Sequence, residues 1–113
     1  MYRYKQHWDN QDNSIVVLME NGEYIGSYNI SITIDSITLE TFYINEKYRN
    51  KGYGRKLLRI LDEELNRLGN NNNDIYLSVR FDNYIAISMY NSIGFEYTRR
   101  AGGYIWMKRV GNI

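Results

Sequence analysis

A chain of 113 residues has room for one hydrophobic core, which predicts a single domain over residues 1–113 and excludes a two-domain enzyme. With no cysteine and one histidine, His7, the composition excludes disulfides, thiolate zinc sites, cysteine nucleophiles and histidine metal clusters, so no metal is expected. A net charge of +1 gives no general reason to bind nucleic acid, and the polar start Met1–Trp8 with no apolar run of bilayer length predicts a soluble, cytoplasmic protein.

Met1–Trp8 alternates weakly and reads as a first strand, and Asp9–Ser14 is rich in turn residues. The β-branched run within Ser14–Glu20 reads as a second strand ending at Asn21-Gly22, a strong hairpin signal. Glu23–Ile34 supplies a third strand with Ile30, Ile32 and Ile34 on one face. Asp35-Ser36 then turns into a fourth, Ile37–Ile44. Four antiparallel strands therefore come first.

From Gly52 to Leu68 the period changes: Leu57, Leu58, Leu61, Leu65 and Leu68 make an apolar stripe at helical spacing. Glu63 is placed to pair with Arg67 one turn on, and Gly69-Asn70 stops the helix ahead of a polar loop, Asn70–Asn73. A strand at Ile75–Val79 follows, then a helix at Asn83–Ser92 with Ala86, Met89, Tyr90 and Ile93 on one face. Strands near Phe95–Thr98 and Tyr104–Val110 complete the chain. A strand-helix-strand unit after a meander implies a mixed sheet whose parallel pair is formed by the Ile37 and Ile75 strands, and ligands favour the crevice at the C-terminal ends of such strands.

The densest chemical signal is Arg49-Asn50-Lys51-Gly52-Tyr53-Gly54, between an apolar strand and an amphipathic helix. Two glycines free the backbone so that successive N–H groups converge, and the helix adds its positive end; such a cradle suits a pyrophosphate. The Walker spacing is absent, and Leu57 stands where the dinucleotide fingerprint needs its third glycine. Lys47, Arg49, Lys51, Arg55, Lys56 and Arg59 concentrate positive charge here, suiting a polyanionic ligand; oligonucleotide binding with Tyr48 and Tyr53 is a weaker reading. A second block, Asn83-x-x-Ala86-x-x-x-Tyr90-x-x-x-Gly94-Phe95, begins 29 residues after Gly54.

In this order the two blocks resemble the GNAT superfamily of acyl-CoA-dependent N-acetyltransferases, over about Asp35–Val110. The resemblance implies an α/β fold with a mixed sheet: an N-terminal antiparallel meander followed by strand-helix-strand-helix units around a splayed central parallel pair. It implies acetyl-CoA as cosubstrate and a primary amine as acceptor, joined by direct attack through a tetrahedral oxyanion. The loop Arg49–Arg55, comprising Arg49, Asn50, Lys51, Gly52, Tyr53, Gly54 and Arg55, matches the stretch that binds the coenzyme pyrophosphate, and main-chain groups of Phe42 and Ile44 match the strand that holds the pantetheine arm. Asn83 and Ala86 match the helix that contacts that arm, and Tyr90 matches the tyrosine near the thioester sulfur. Glu40, nine residues before Arg49, matches the position of a frequent catalytic base.

Each assignment has a plainer alternative: Asn83 as a helix cap, Tyr90 as a packing aromatic, Glu40 as an exposed strand carboxylate. His7 is expected at a surface or sheet edge, and Trp8 and Trp106 in packing. A non-catalytic acyl-CoA-binding or protein-interaction domain is the alternative function. The chain departs from the family in lacking a proline before Arg49 and, more consequentially, in having only the Asp9–Ser14 turn where relatives place two helices between their first and second strands. An open acceptor side follows, favouring a protein or peptide amine or a pocket completed by a second subunit in a homodimer.

Overall fold

The computed structural model describes the backbone of residues 2–8, 11–33, 36–67 and 73–111, and side chains from residue 13 onward. Its elements are β1 (Tyr2–Trp8), β2 (Gln11–Glu20), β3 (Glu23–Ile32), β4 (Ile37–Ile44), a 3₁₀ turn at Glu46–Tyr48, α1 (Tyr53–Arg67), β5 (Ile75–Arg80), α2 (Tyr84–Ser92), β6 (Glu96–Ala101) and β7 (Tyr104–Arg109). They form one seven-stranded mixed sheet in the order β1-β2-β3-β4-β5-β7-β6. The first four strands are an antiparallel meander, as the alternation predicts.

Several boundaries differ from the sequence reading. The turn expected over Asp9–Ser14 is shorter, because Trp8 already pairs with Gln11 and residues 11–14 belong to β2. Polar residues there occupy the ladder because its hydrogen bonds are main-chain. β3 stops at Ile32, where Thr33 N–H donates to the Ser36 carbonyl (2.9 Å); Ile34 and Asp35 lie outside the described residues, as do Leu68, Gly69 and residues 70–72 of the predicted loop. Arg67 pairs with Glu64 at 2.5 Å instead of Glu63, the i,i+3 partner capturing a guanidinium that the i,i+4 spacing had assigned to its neighbour.

Between β4 and β5 the parallel pairing is confined to Ile37↔Ile75 and Thr38↔Tyr76. Beyond Thr38 the two strands diverge, so the β5-facing edge of β4 has no ladder partner over residues 39–44. β4 also contains a β-bulge. Its register with β3 slips between Asn29↔Thr41 and Ile30↔Leu39, leaving Glu40 as the extra residue. The slip explains the burial pattern, in which Leu39 and Phe42 both face the core although three apart, while Glu40 and Thr41 are both exposed.

The core lies on one face of the sheet. Leu57, Leu61 and Leu65 of α1 are each at most 2% exposed and pack with Val16, Tyr28, Ile30, Ile37, Leu39 and Ile75. The connections β4-α1-β5 and β5-α2-β6 join parallel strands, since β5 and β6 are both antiparallel to β7, and right-handed crossovers put both helices on this same face. α2 lies beside α1, with Met89 Sδ 3.9 Å from where a Gly54 Cβ would stand. On the opposite face, Thr41, Tyr43, Ser78, Arg80, Arg99 and Tyr104 are exposed and Ile15, Val17, Tyr76 and Trp106 only half-buried, with no helix over them among the described residues. No helix among the described residues is long and apolar enough to cross a membrane.

Candidate coenzyme cleft

The gap where β4 leaves β5 opens into a cleft of about 950 Å³, walled by β4 and the start of α1 on one side and by α2 on the other. Phe42, Ile44, Arg49, Asn50, Gly54, Asn83, Ala86 and Tyr90 line it together, so six residues drawn from both sequence blocks meet two from the strand before them in one space. Glu40, Lys51, Gly52, Tyr53 and Arg55 are not among the lining residues. Glu40 sits exposed in its bulge, and Tyr53 turns away to donate to Glu20 Oε2 at 2.7 Å.

The loop owes its shape to two left-handed residues, Asn50 (φ 62°) and Gly52 (φ 87°). The sequence reading assigned this freedom to both glycines; only Gly52 uses it, with asparagine, the non-glycine residue most at home there, as the second. Gly54 is needed for space instead: its φ is not left-handed, and it lines the cleft where a side chain would project toward Met89. Lys56 N–H donates to the Gly52 carbonyl (3.2 Å), so Gly52 caps α1, and the N–H groups of Tyr53, Gly54 and Arg55 have no intrahelical acceptor. They face outward at the positive end of a 15-residue helix.

Arg49 closes this end of the cleft. Its Nε donates to the Ile44 carbonyl (2.9 Å) and its guanidinium lies 5.4 Å from the centre of the Tyr43 ring, which stacks on Tyr24. On the other wall, Asn83 caps α2 by accepting from Ala86 N–H at 3.2 Å, which orients its side chain and leaves its amide nitrogen to donate. Tyr90 lies edge-on to Phe42 (6.5 Å) and to Phe95 (6.0 Å), and burial raises its phenol pKa above the ordinary value. Its hydroxyl has no hydrogen-bond partner among the described residues.

Of the four residues predicted to form the apolar face of the second helix, only Ile93 is buried; Ala86, Met89 and Tyr90 are half-buried against the cleft. Tyr43, Tyr84, Ile85 and Ser88 also line it and were not singled out from sequence, and Tyr48, named there only for oligonucleotide binding, lines it too. Two adjacent apolar side chains in a first helical turn, Tyr84 and Ile85, at 74% and 77% exposure, were the available signal. Among the described residues, no group of three or more His, Asp or Glu side chains is placed to hold a metal.

A diphosphate-bearing acyl donor fits this arrangement on three counts: free N–H groups at the α1 start, an unpaired β4 edge, and a cleft long enough to run from one to the other. A split mixed sheet with an anion-binding helix start beside the split is the architecture of acyltransferases that draw on coenzyme A. The chain belongs to the acetyltransferase (GNAT) family, whose description matches residues 1–95. It is 34% identical over 79 residues to the ribosomal protein bS18-alanine N-acetyltransferase of Escherichia coli, covering 70% of this chain and 52% of that one. It is 38% identical over 61 residues to the spermine/spermidine N(1)-acetyltransferase of Bacillus subtilis, covering 54% and 40%. The chain thus spans about half the length, or less, of these relatives.

Among solved structures, the ribosomal-protein-S18-alanine N-acetyltransferase from Escherichia coli superposes with a TM-score of 0.72 at 26% identity, covering 95% of this chain and 73% of that one. The PaiA N-acetyltransferase from Thermoplasma acidophilum, crystallised in complex with coenzyme A, gives a TM-score of 0.74 at 20% identity, covering 88% and 59%.

Proposed function

We propose that this chain is an N-acetyltransferase that moves the acetyl group of acetyl-CoA onto a primary amine. The observation that carries the reading is the divergence of β4 from β5 directly beside the start of α1, whose first N–H groups have no intrahelical acceptor, with Tyr90 in the opposite wall. Acetyl-CoA supplies an activated thioester and a thiolate leaving group. The N–H groups of Tyr53, Gly54 and Arg55 hold the diphosphate, with Arg49, Lys51 and Arg55 adding charge around it. The free edge of β4 around Phe42 and Ile44 aligns the pantetheine arm and offers main-chain N–H groups to the oxyanion formed by direct attack. The Ile44 carbonyl already accepts from Arg49, so its use by the arm requires a shared acceptor.

Asn83 and Ala86 bear on the arm from α2. Tyr90 acts as a hydrogen-bond donor to the departing thiolate. Full proton transfer from a phenol of ordinary pKa to a thiolate is uphill by about 2 kcal/mol, and the upward shift caused by burial widens that gap. Glu40, exposed in its bulge and outside the cleft lining, orders a water that carries the amine proton away to solvent.

The amine reaches the gap from the sheet face that α1 and α2 leave bare. Trp8 of β1 pairs with Gln11 of β2 and no helix among the described residues covers that face, so an exposed amine of a protein or peptide can approach across it. Such an acceptor is closer in kind to the ribosomal-protein alanine of one relative than to the polyamine of another. A second reading, coenzyme binding without turnover, is favoured by one observation: Glu40 is not among the cleft-lining residues. Intact-mass analysis of host lysate proteins, peptides and polyamines incubated with the protein and acetyl-CoA separates the two. The proposal expects one or more products heavier by an acetyl group. Coenzyme binding with no product in any class contradicts it.

A further inference from the structure

We propose that Glu20, at the end of β2 and outside the cleft, is a positioning residue for the phosphate-binding loop; this rests on the coenzyme reading above. Its two carboxylate oxygens are divided between two points of the first turn of α1: Oε2 accepts from the Tyr53 hydroxyl at 2.7 Å and Oε1 from Lys56 Nζ at 2.6 Å. Tyr53 opens the helix and Lys56 follows three residues later, so the pair of contacts fixes both the tilt and the rotation of the turn that presents the N–H groups of Tyr53, Gly54 and Arg55. Lys56, the largest influence, and Tyr53 hold the Glu20 carboxyl below its ordinary pKa, so it is ionised at neutral pH.

The same hairpin holds the entry to the loop. Glu23 Oε2 lies 3.2 Å from Lys47 Nζ, the Asn45 side-chain amide donates to the Tyr24 carbonyl (3.1 Å), and Asn45 N–H donates to the Ile25 carbonyl (2.8 Å). The hairpin tip between these contacts is a tight left-handed turn, Asn21 (φ 52°) and Gly22 (φ 76°). The loop is therefore suspended at both ends from one rigid hairpin. Lys56 is drawn toward Glu20 and does not line the cleft, which leaves main-chain amides as the principal anion ligands. Exposed ion pairs add little to global stability, so the value of this one lies in geometry.

The test is calorimetric measurement of acetyl-CoA binding to Glu20→Ala and Glu20→Gln, with the melting temperature of each ligand-free variant. Glu20→Ala is expected to weaken binding about five- to tenfold and Glu20→Gln, which keeps an acceptor for Tyr53, by less, with ligand-free melting temperatures within about 2 °C of the wild type. Unchanged binding overturns the proposal, and so does tighter binding from a released Lys56. Weakening that only accompanies a large loss of ligand-free stability assigns Glu20 a structural role and also overturns it. If the wild-type protein itself fails to bind acetyl-CoA, the coenzyme reading fails first and takes this inference with it.

Discussion

The two walls of the cleft are built on different principles. The β4–α1 wall is anchored: Leu57, Leu61 and Leu65 are essentially inaccessible, Arg49 is bonded to the Ile44 carbonyl, and the loop is tied at both ends to the β2–β3 hairpin. The α2 wall rests on half-buried side chains, has no fully buried residue within the helix, and leaves Tyr84 and Ile85 largely exposed. The difference suits what each wall is proposed to meet. An anion held by main-chain amides needs donors fixed before it arrives, since every degree of freedom left in them weakens binding. A flexible arm is better met by a wall that shifts with it, and elements with little buried apolar area are the ones that open locally.

The contrast can be broken at its most sensitive point by Tyr90→Phe, which leaves the packing ring between Phe42 and Phe95 and removes only the hydroxyl. A roughly ten- to a thousandfold fall in maximal rate with unchanged acetyl-CoA affinity is expected from steady-state kinetics and calorimetry. Near-normal turnover reduces Tyr90 to a packing residue and makes the α2 wall purely structural.

On the anchored wall, Gly54→Val puts a branched side chain into the cradle at a position whose backbone accepts any residue. Acetyl-CoA at about 100 times its dissociation constant stabilises the wild-type fold by about 2.7 kcal/mol, a rise of on the order of 10 °C in melting temperature. The valine variant should lose that rise while its ligand-free melting temperature changes little.

Asn83→Ala sharpens the comparison from the adaptable side. Loss of the cap on Ala86 N–H costs about 1 kcal/mol, or about 4 °C in melting temperature. Coenzyme affinity should fall about fivefold at most. Unchanged affinity would show that Asn83 acts only by holding the helix and not by contact with the arm.

The anchored wall was also the more legible one in the sequence. Leucines at helical spacing and a strand-loop-helix order are local signals, and they placed α1 within one residue and brought Arg49, Asn50 and Gly54 to the cleft. The bulge at Glu40 was visible only indirectly, in an apolar alternation that runs Ile37, Leu39 and then skips a residue to Phe42 and Ile44. The periodicity of α2 placed Ala86, Met89, Tyr90 and Ile93 on one face but not how deeply each is buried, because apolar residues at helical spacing line a cleft as well as a core. Periodicity alone does not distinguish them. The Glu20 contacts join residues 33 and 36 positions apart and have no local signature. The position of β7 between β5 and β6 is a long-range result of the same kind.

The account stands most directly on where acetyl-CoA binds, and amide hydrogen exchange with and without saturating acetyl-CoA reads that residue by residue. Protection is expected at Tyr53, Gly54 and Arg55, whose amides lack intrahelical acceptors, and along the free edge of β4 through Phe42 and Ile44, with little change on the edge strands β1 and β6. Protection absent from the α1 start and from β4, or confined to the bare face of the sheet, would contradict it.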